Sequence, residues 1–95
     1  MFTKLKFMPY ANAKVEVTDE KTTLISYATR VAELTKDGWF TLNGLYSVTT
    51  LKHIKAFARE YLGAYFVDWC KKDYQRLIND NVKINIYTAE IIPIE

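Results

Sequence analysis

Cysteine, histidine, glycine and proline are scarce in this chain, and their scarcity excludes several kinds of site. The 95 residues include one cysteine, one histidine, three glycines and two prolines. A single cysteine cannot form a disulfide within the chain, and one thiol cannot build a zinc site. Because Gly38, Gly44 and Gly63 are far apart in the sequence, they do not form a phosphate-binding loop. We therefore expect neither a metal ion nor a cofactor.

Long apolar runs are also absent, and this bears on where the protein works. No run of about 18 apolar residues is found, so the sequence predicts no membrane-spanning helix. Residues 1–10 lack the uninterrupted apolar core that a signal peptide requires. A lone cysteine is typical of the reducing cytosol. These observations predict a cytoplasmic protein with no membrane as its partner.

The composition is that of one folded domain, which we place at residues 1–95. Hydrophobic residues make up 49% of the chain and charged residues 25%, as in ordinary globular proteins. The net charge of +2 is too small for a nucleic-acid binder held by charge alone. Aromatic residues reach 15%, more than a small core needs, so we expect some of them to serve in binding.

Alternation and helical spacing of apolar residues predict an α+β fold. We expect strands near residues 2–8, 14–18, 23–35, 39–46 and 82–87. Amphipathic helices are predicted over about 50–62 and 64–79, and Ile91 and Ile92 favour a short final strand. This order of elements predicts an antiparallel sheet with both helices packed on one face.

Catalytic chemistry finds little support in the sequence. The pair of residue types typical of nucleophilic catalysis is Cys70 with His53. On the predicted helices, Cys70 lies in an apolar arc and His53 on a polar side, so the two are not expected to meet. The carboxylates of Asp68 and Asp73 diverge by about 140° around a helix and do not form an acid pair. We therefore expect no catalytic residues and a protein that is not an enzyme.

The first predicted helix carries a basic stripe, formed by Lys52, Lys55 and Arg59. These residues lie within about 60° of one another around the helix axis. Two interpretations remain open. The stripe is either a solvated helix face or a contact surface for nucleic-acid phosphates or an acidic partner.

The second predicted helix presents an aromatic and cationic face opposite its apolar arc. Tyr65 and Trp69 stand four residues apart on that face, beside Lys72 and Arg76. Three roles remain open: stacking on bases, anchoring a protein interface or homodimer, and forming a second small core under a chain terminus. We predict that Tyr65, Trp69, Lys72 and Arg76 bind a partner.

Residues 37–63 contain a distinctive succession of a short strand, a polar helix start and an amphipathic helix. A short strand leads into Leu45-Tyr46-Ser47-x-Thr49-Thr50-x-x-His53-Ile54-x-x-Phe57, and an aromatic-rich helix follows. This pattern resembles that of small uncharacterised proteins of phages and prophages in Gram-positive bacteria. The resemblance implies a context and no activity, since small phage proteins commonly bind host machinery. Within the pattern Ser47, Thr49 and Thr50 are candidate helix caps, and Ile54 and Phe57 are expected in the core.

Together these observations give a leading hypothesis and two alternatives. The leading one is a non-enzymatic phage or mobile-element protein that binds a host macromolecule, first of all a host protein, as an anti-defence inhibitor would. The second is a nucleic-acid-binding module that uses the basic stripe together with Lys72 and Arg76. The third is a structural homo-oligomer.

Overall fold

An antiparallel sheet in which each strand pairs with the next along the chain is the frame of this protein. The structure is a computed structural model, and it describes residues 1–44, 47–63, 66 and 68–94. The seven strands are β1 (Phe2–Thr3), β2 (Ala13–Val17), β3 (Lys21–Ser26), β4 (Thr29–Thr35), β5 (Trp39–Leu42), β6 (Val82–Asn85) and β7 (Ile91–Pro93).

The helices lie within the connection from β5 to β6 and cover one face of the sheet. Helix α1 (Val48–Phe57) continues directly into a π-helix, Ala58–Leu62, and α2 (Lys71–Asn79) precedes β6. The π-helix ends at Gly63, whose amide donates to the Ala58 carbonyl at 3.2 Å. Gly63 has φ 93°, a conformation that glycine adopts without steric cost.

The helix-facing side of the sheet is apolar because cross-strand neighbours share a face. Val15, Leu24, Ala32 and Leu42 stand opposite one another on β2 to β5, and all are buried. Phe40 packs against Phe57 and Phe66 from the helical layer, with ring centroids 6.4 and 6.3 Å apart. Burial of each such large side chain stabilises the fold by about 1.5–3 kcal/mol.

The predicted fold class is confirmed, and several residues between 47 and 57 take their expected places. The structure is an α+β arrangement with helices packed against one face of an antiparallel sheet. Ser47 is the N-cap of α1, and its Oγ accepts from the Thr50 amide at 3.1 Å. Ile54 and Phe57 are fully buried. The short final strand at Ile91 and Ile92 is also present, as β7.

The predicted strands have different bounds in the structure. Those expected at 14–18, 39–46 and 82–87 are Ala13–Val17, Trp39–Leu42 and Val82–Asn85, and two others differ more. The strand expected at residues 2–8 is limited to Phe2–Thr3, because Leu5 leaves the sheet and is fully buried in the core. The strand expected at 23–35 is a hairpin whose turn falls at Tyr27 and Ala28. Tyr27 has φ 57°, which is uncommon outside glycine, asparagine and aspartate, so the residue types gave no turn signal.

The second predicted helix is shorter than expected. It begins at Lys71 instead of residue 64, with Cys70 as its N-cap and the Cys70 amide donating to the Asp73 carboxylate at 2.8 Å. Cys70 is exposed, so its predicted place in an apolar arc is wrong. The predicted positions 45, 46, 64, 65 and 67 lie outside the described residues. Among the helices that the structure describes, none is long and apolar enough to cross a membrane.

Candidate functional site

Trp69 lies just before α2 and is held against the core. Its ring centroid is 4.8 Å from that of Phe66 and 5.3 Å from that of Tyr74, and its side chain is half-buried. The Trp69 amide donates to the Phe66 carbonyl at 3.2 Å. The prediction that Trp69 shares a helical face with Lys72 and Arg76 is therefore wrong. Capping by Cys70 and Asp73 starts the helix only after Trp69.

A groove opens between Trp69, α2 and the β6–β7 hairpin, and we call it the α2–β7 groove. Its volume is about 180 Å³. Its described lining residues are Trp69, Asp73, Arg76, Leu77, Ile84, Ala89 and Ile91. Pockets for small molecules and cofactors usually have about 300–1,000 Å³, so this groove has the size of a single partner side chain.

A second, shallower concavity runs along the outer side of α2 and shares Arg76 with the groove. It has a volume of about 340 Å³ and is lined by Lys71, Lys72, Gln75, Arg76, Asn79 and Asp80. Of the predicted partner-binding residues, Trp69 and Arg76 line the groove, and Lys72 and Arg76 line this concavity. The structure thus brings the three together around Arg76, and Tyr65 lies outside the described residues.

Asp73 and Arg76 are the charged residues that line the groove, and Tyr74 lies beneath them. Hydrogen bonds from Cys70, aided by the charge of Arg76, lower the pKa of the Asp73 carboxyl below its ordinary value. Asp73 therefore stays ionised at neutral pH while it caps α2. Arg76 itself is exposed at the rim. Beneath them, burial and the charge of Asp73 raise the pKa of Tyr74 to about 12, and its hydroxyl donates to the Phe66 carbonyl at 3.2 Å.

The basic stripe is larger in the structure than in the sequence. Lys52, Lys55 and Arg59 are all exposed. The segment after β1 reaches the π-helix, where the centroid of the Phe7 ring lies 4.2 Å from the Arg59 guanidinium carbon and 5.6 Å from the Lys6 Nζ. A carboxylate oxygen of Glu60 holds this segment by accepting from the Lys6 amide at 2.8 Å. We call the five residues Lys6, Phe7, Lys52, Lys55 and Arg59 the basic patch.

Lys6 and Phe7 were not predicted for this surface because a tertiary contact brings them to the π-helix. Their alternating pattern matched a strand, which would have kept them in the sheet. This contact depends on Leu5, whose fully buried side chain draws the chain out of the sheet. Leu5 was an apolar residue of the predicted strand. No local sequence signal distinguishes a Leu5 that stays in the sheet from one that leaves it and is buried in the core.

His53 has a structural environment that the helical pattern did not predict. Its side chain is only 1% exposed, and its Nδ1 lies 2.7 Å from the Ser26 Oγ. The Tyr27 ring covers it at a centroid distance of 5.8 Å. The predicted polar-side position is wrong, because the β3–β4 turn closes over this side of α1. A serine beside a histidine is a nucleophile–base arrangement, but Ser26 is 2% exposed and a substrate has no access.

The fold and the two surfaces define a small α+β protein with a groove and a basic patch on its helical side. Residues 3–76 match the family of unknown function DUF8033. The match covers more than three quarters of the chain, and the protein belongs to this family. No curated protein and no solved structure matches the chain. The matched range contains the basic patch, Trp69 and Arg76.

Proposed function

We propose that this chain is a small accessory protein of a phage or mobile element that acts by binding a host protein. An inhibitor of a host defence system is one concrete form of this function. The phage context rests on the residue pattern at 45–57. The binding function is supported above all by the α2–β7 groove. Its lining combines the apolar ring of Trp69 with the charged side chain of Arg76.

The groove has the chemistry of a site for one anchoring side chain. Leu77, Ile84 and Ile91 offer apolar contacts, and Asp73 and Arg76 supply the charged rim. Protein interfaces combine apolar anchors with a polar rim in this way, and tryptophan and arginine are enriched at their centres. Arg76 offers a planar fork of donors to a carboxylate. The expected partner segment thus carries an apolar side chain next to an acidic one.

Trp69 suits this function better than base stacking. Its ring packs against both Phe66 and Tyr74, which fixes its orientation before a partner arrives. A rigid aromatic loses little conformational entropy on binding, so it strengthens an interface efficiently. A base-stacking platform needs an open ring face instead. The observed packing therefore favours a protein partner at this groove.

Affinity capture with matched charge variants tests the proposal. Immobilised wild type, Arg76→Glu and Lys36→Glu are incubated with host lysate, and retained proteins are quantified by mass spectrometry. Lys36 is an exposed lysine of the β4–β5 turn and is not among the described lining residues of the groove, so its reversal is the control. We expect a protein retained by wild type and Lys36→Glu, with about tenfold or greater loss for Arg76→Glu.

Two results would contradict the proposal. One is equal retention by all three baits, and the other is the absence of any protein retained by the wild type. Sedimentation of the purified chain provides a separate test of the homo-oligomer alternative. A mass above 11.1 kDa that falls back to that value in Arg76→Glu would assign the groove to a second copy of the chain.

The anti-defence form has its own test in cells. In a Gram-positive host that carries the targeted defence system, expression of the wild type is expected to restore phage plating. Arg76→Glu should fail to do so while keeping the circular dichroism spectrum of the wild type. Partner binding without any change in plating would retain the binding function and remove the anti-defence form.

A further inference from the structure

We propose that the basic patch binds single-stranded nucleic acid, with its cations on the phosphates and Phe7 and Arg59 beside a base. This function goes beyond the binding of a protein at the α2–β7 groove. The two surfaces are built from different residues, because the patch belongs to α1, the π-helix and the segment after β1. Each surface can therefore be disabled while the other is left intact.

The patch is complementary to a polyanion. Its four cations are all exposed, and the ion pairs that the structure gives, Lys21–Glu33 and Arg30–Glu16, involve other residues. The carboxylate that the structure places beside the patch is that of Glu60. It is engaged by the Lys6 amide, and it also interacts with the Tyr61 hydroxyl. Glu60 keeps its negative charge, so the four cations and this one carboxylate leave a net charge of about +3 for a ligand.

The spacing of the cations suits a strand of phosphates. Lys52 and Arg59 are seven residues apart, which corresponds to about 10 Å along a helix axis. Lys55 lies between them in the sequence, and Lys6 adds a cation close to Arg59, because both contact the Phe7 ring. Phosphates of one strand rise by about 3.4 Å per nucleotide in a duplex and are spaced more widely when extended. The patch therefore spans two to four phosphates.

The aromatic component favours nucleic acid over an acidic protein. The Phe7 ring is 39% exposed, and the Arg59 guanidinium lies 4.2 Å from its centroid. Aromatic rings and guanidinium planes both stack on bases, and contact with Phe7 limits the rotamers of Arg59 before binding. Base faces are reachable in a single strand and hidden within a duplex. A single strand is therefore the ligand that uses every part of the patch.

Fluorescence anisotropy with a labelled oligothymidylate tests this proposal. The titration is repeated from about 50 to about 200 mM salt, because each neutralised phosphate releases counterions. With two to four phosphate contacts on a single strand, the logarithm of the binding constant should fall against the logarithm of the salt concentration with a slope of about −1.4 to −2.8.

Three variants separate the parts of the patch. The double variant Lys52→Glu/Lys55→Glu should lower the affinity at least about tenfold and make the salt slope shallower. Phe7→Leu keeps an apolar side chain and loses the ring, so the affinity should fall about fivefold or more with the slope unchanged. Lys36→Glu is a control for a single charge reversal outside the patch and should bind nearly as the wild type does.

The same titration contains the results that would overturn the proposal. The proposal fails if the oligothymidylate does not bind at the lowest salt, or if Lys52→Glu/Lys55→Glu leaves the affinity unchanged. Tighter binding of polyglutamate than of oligothymidylate would assign the patch to an acidic protein. Arg76→Glu should retain nucleic-acid binding, so failure of this proposal is distinguishable from failure of the proposed groove function.

Discussion

His53 connects α1 to the β3–β4 turn, and its burial has a consequence for pH. Burial lowers the pKa of His53 below its ordinary value of 6.5, because the low-dielectric surroundings penalise the charged imidazole. The folded protein therefore favours the neutral ring that pairs with Ser26. As the pH falls below 6.5, the unfolded chain takes up a proton first, and the free energy of unfolding decreases until the folded pKa is passed.

Urea unfolding at about pH 7.5 and about pH 5.5 checks this prediction. We expect the wild type to be less stable at the lower pH, and His53→Gln to lose that part of the pH dependence. His53 is the one histidine of the sequence, so the difference between the two proteins over this range reports on it alone. A wild type whose stability depends on pH no more than that of the variant would contradict the role given to His53.

Asn85 is a buried polar residue whose hydrogen bonds connect the β4–β5 turn to the β6–β7 turn. Its Nδ2 donates to the Asp37 carbonyl at 3.1 Å, and its Oδ1 accepts from the amides of Tyr87 and Thr88 at 2.9 and 3.2 Å. We predict that Asn85→Ala lowers the free energy of unfolding by about 2–3 kcal/mol, because buried backbone groups lose their partners. Chemical denaturation measures this loss. Asn12→Ala, at an exposed asparagine, should change stability by less than about 0.5 kcal/mol.

At the scale of elements, the β4–β5 turn and the β6–β7 turn meet at Gly38. A Cβ added there would lie 2.5 Å from the Tyr87 ring, and Gly38 has φ 94°. Gly38→Ala should therefore destabilise the protein by about 1–3 kcal/mol through strain and overlap. In a Tyr87→Ala background the overlap with the ring is removed, and the strain and a 3.3 Å approach to the Asn85 Oδ1 remain, so the same substitution should destabilise the protein less. An equal loss of stability in both backgrounds would show that the Tyr87 ring is not in close contact with position 38.

Gly63 is a matched control for Gly38, because it also has a positive φ but an added Cβ would not overlap with a described neighbouring side chain. It has φ 93°, and no atom of the residues that the structure describes lies within 4 Å of an added Cβ. Gly63→Ala should therefore destabilise the protein through backbone strain alone, and its cost should not depend on Tyr87. Thermal unfolding of the two alanine variants, each with and without Tyr87→Ala, provides the comparison.

Much of the element pattern was predictable, and the exceptions have physical causes. Alternation located the strands, and Asp37-Gly38 marked its hairpin turn because that turn needs positive φ at glycine. The turn at Tyr27 and Ala28 carries no such signal, because tyrosine and alanine are uncommon at the central positions of hairpin turns. The start of α2 was missed because the reciprocal bond between Asp73 and the Cys70 amide decides it, and apolar spacing does not report such a bond.

The candidate site was predictable in part. Lys72 and Arg76 follow from helical spacing, and so does the basic stripe on α1. The companions of Arg76 in the groove come from β6 and β7, and those of Arg59 come from the segment after β1. Both sets depend on which elements become neighbours in space. The spacing of residues within one helix carries no information about that.

At the scale of the whole molecule, the two surfaces predict a double dissociation. Arg76→Glu should abolish retention of the host protein and leave oligothymidylate binding unchanged. Lys52→Glu/Lys55→Glu should do the reverse, because its charges lie on α1 and not at the groove. Both ligands are measured with both variants under one salt condition. A variant that lowers both affinities while remaining folded would mean that the surfaces act as one site.

The most direct test of the central claim is whether a bound host protein covers Trp69. In a Trp39→Phe background, Trp69 is the one remaining tryptophan, so its quenching by acrylamide reports on the groove. We predict that the captured partner protects Trp69 from the quencher, and that Arg76→Glu removes this protection at the same partner concentration. Quenching that is unchanged when the complex is fully formed would contradict the claim and place the interface elsewhere.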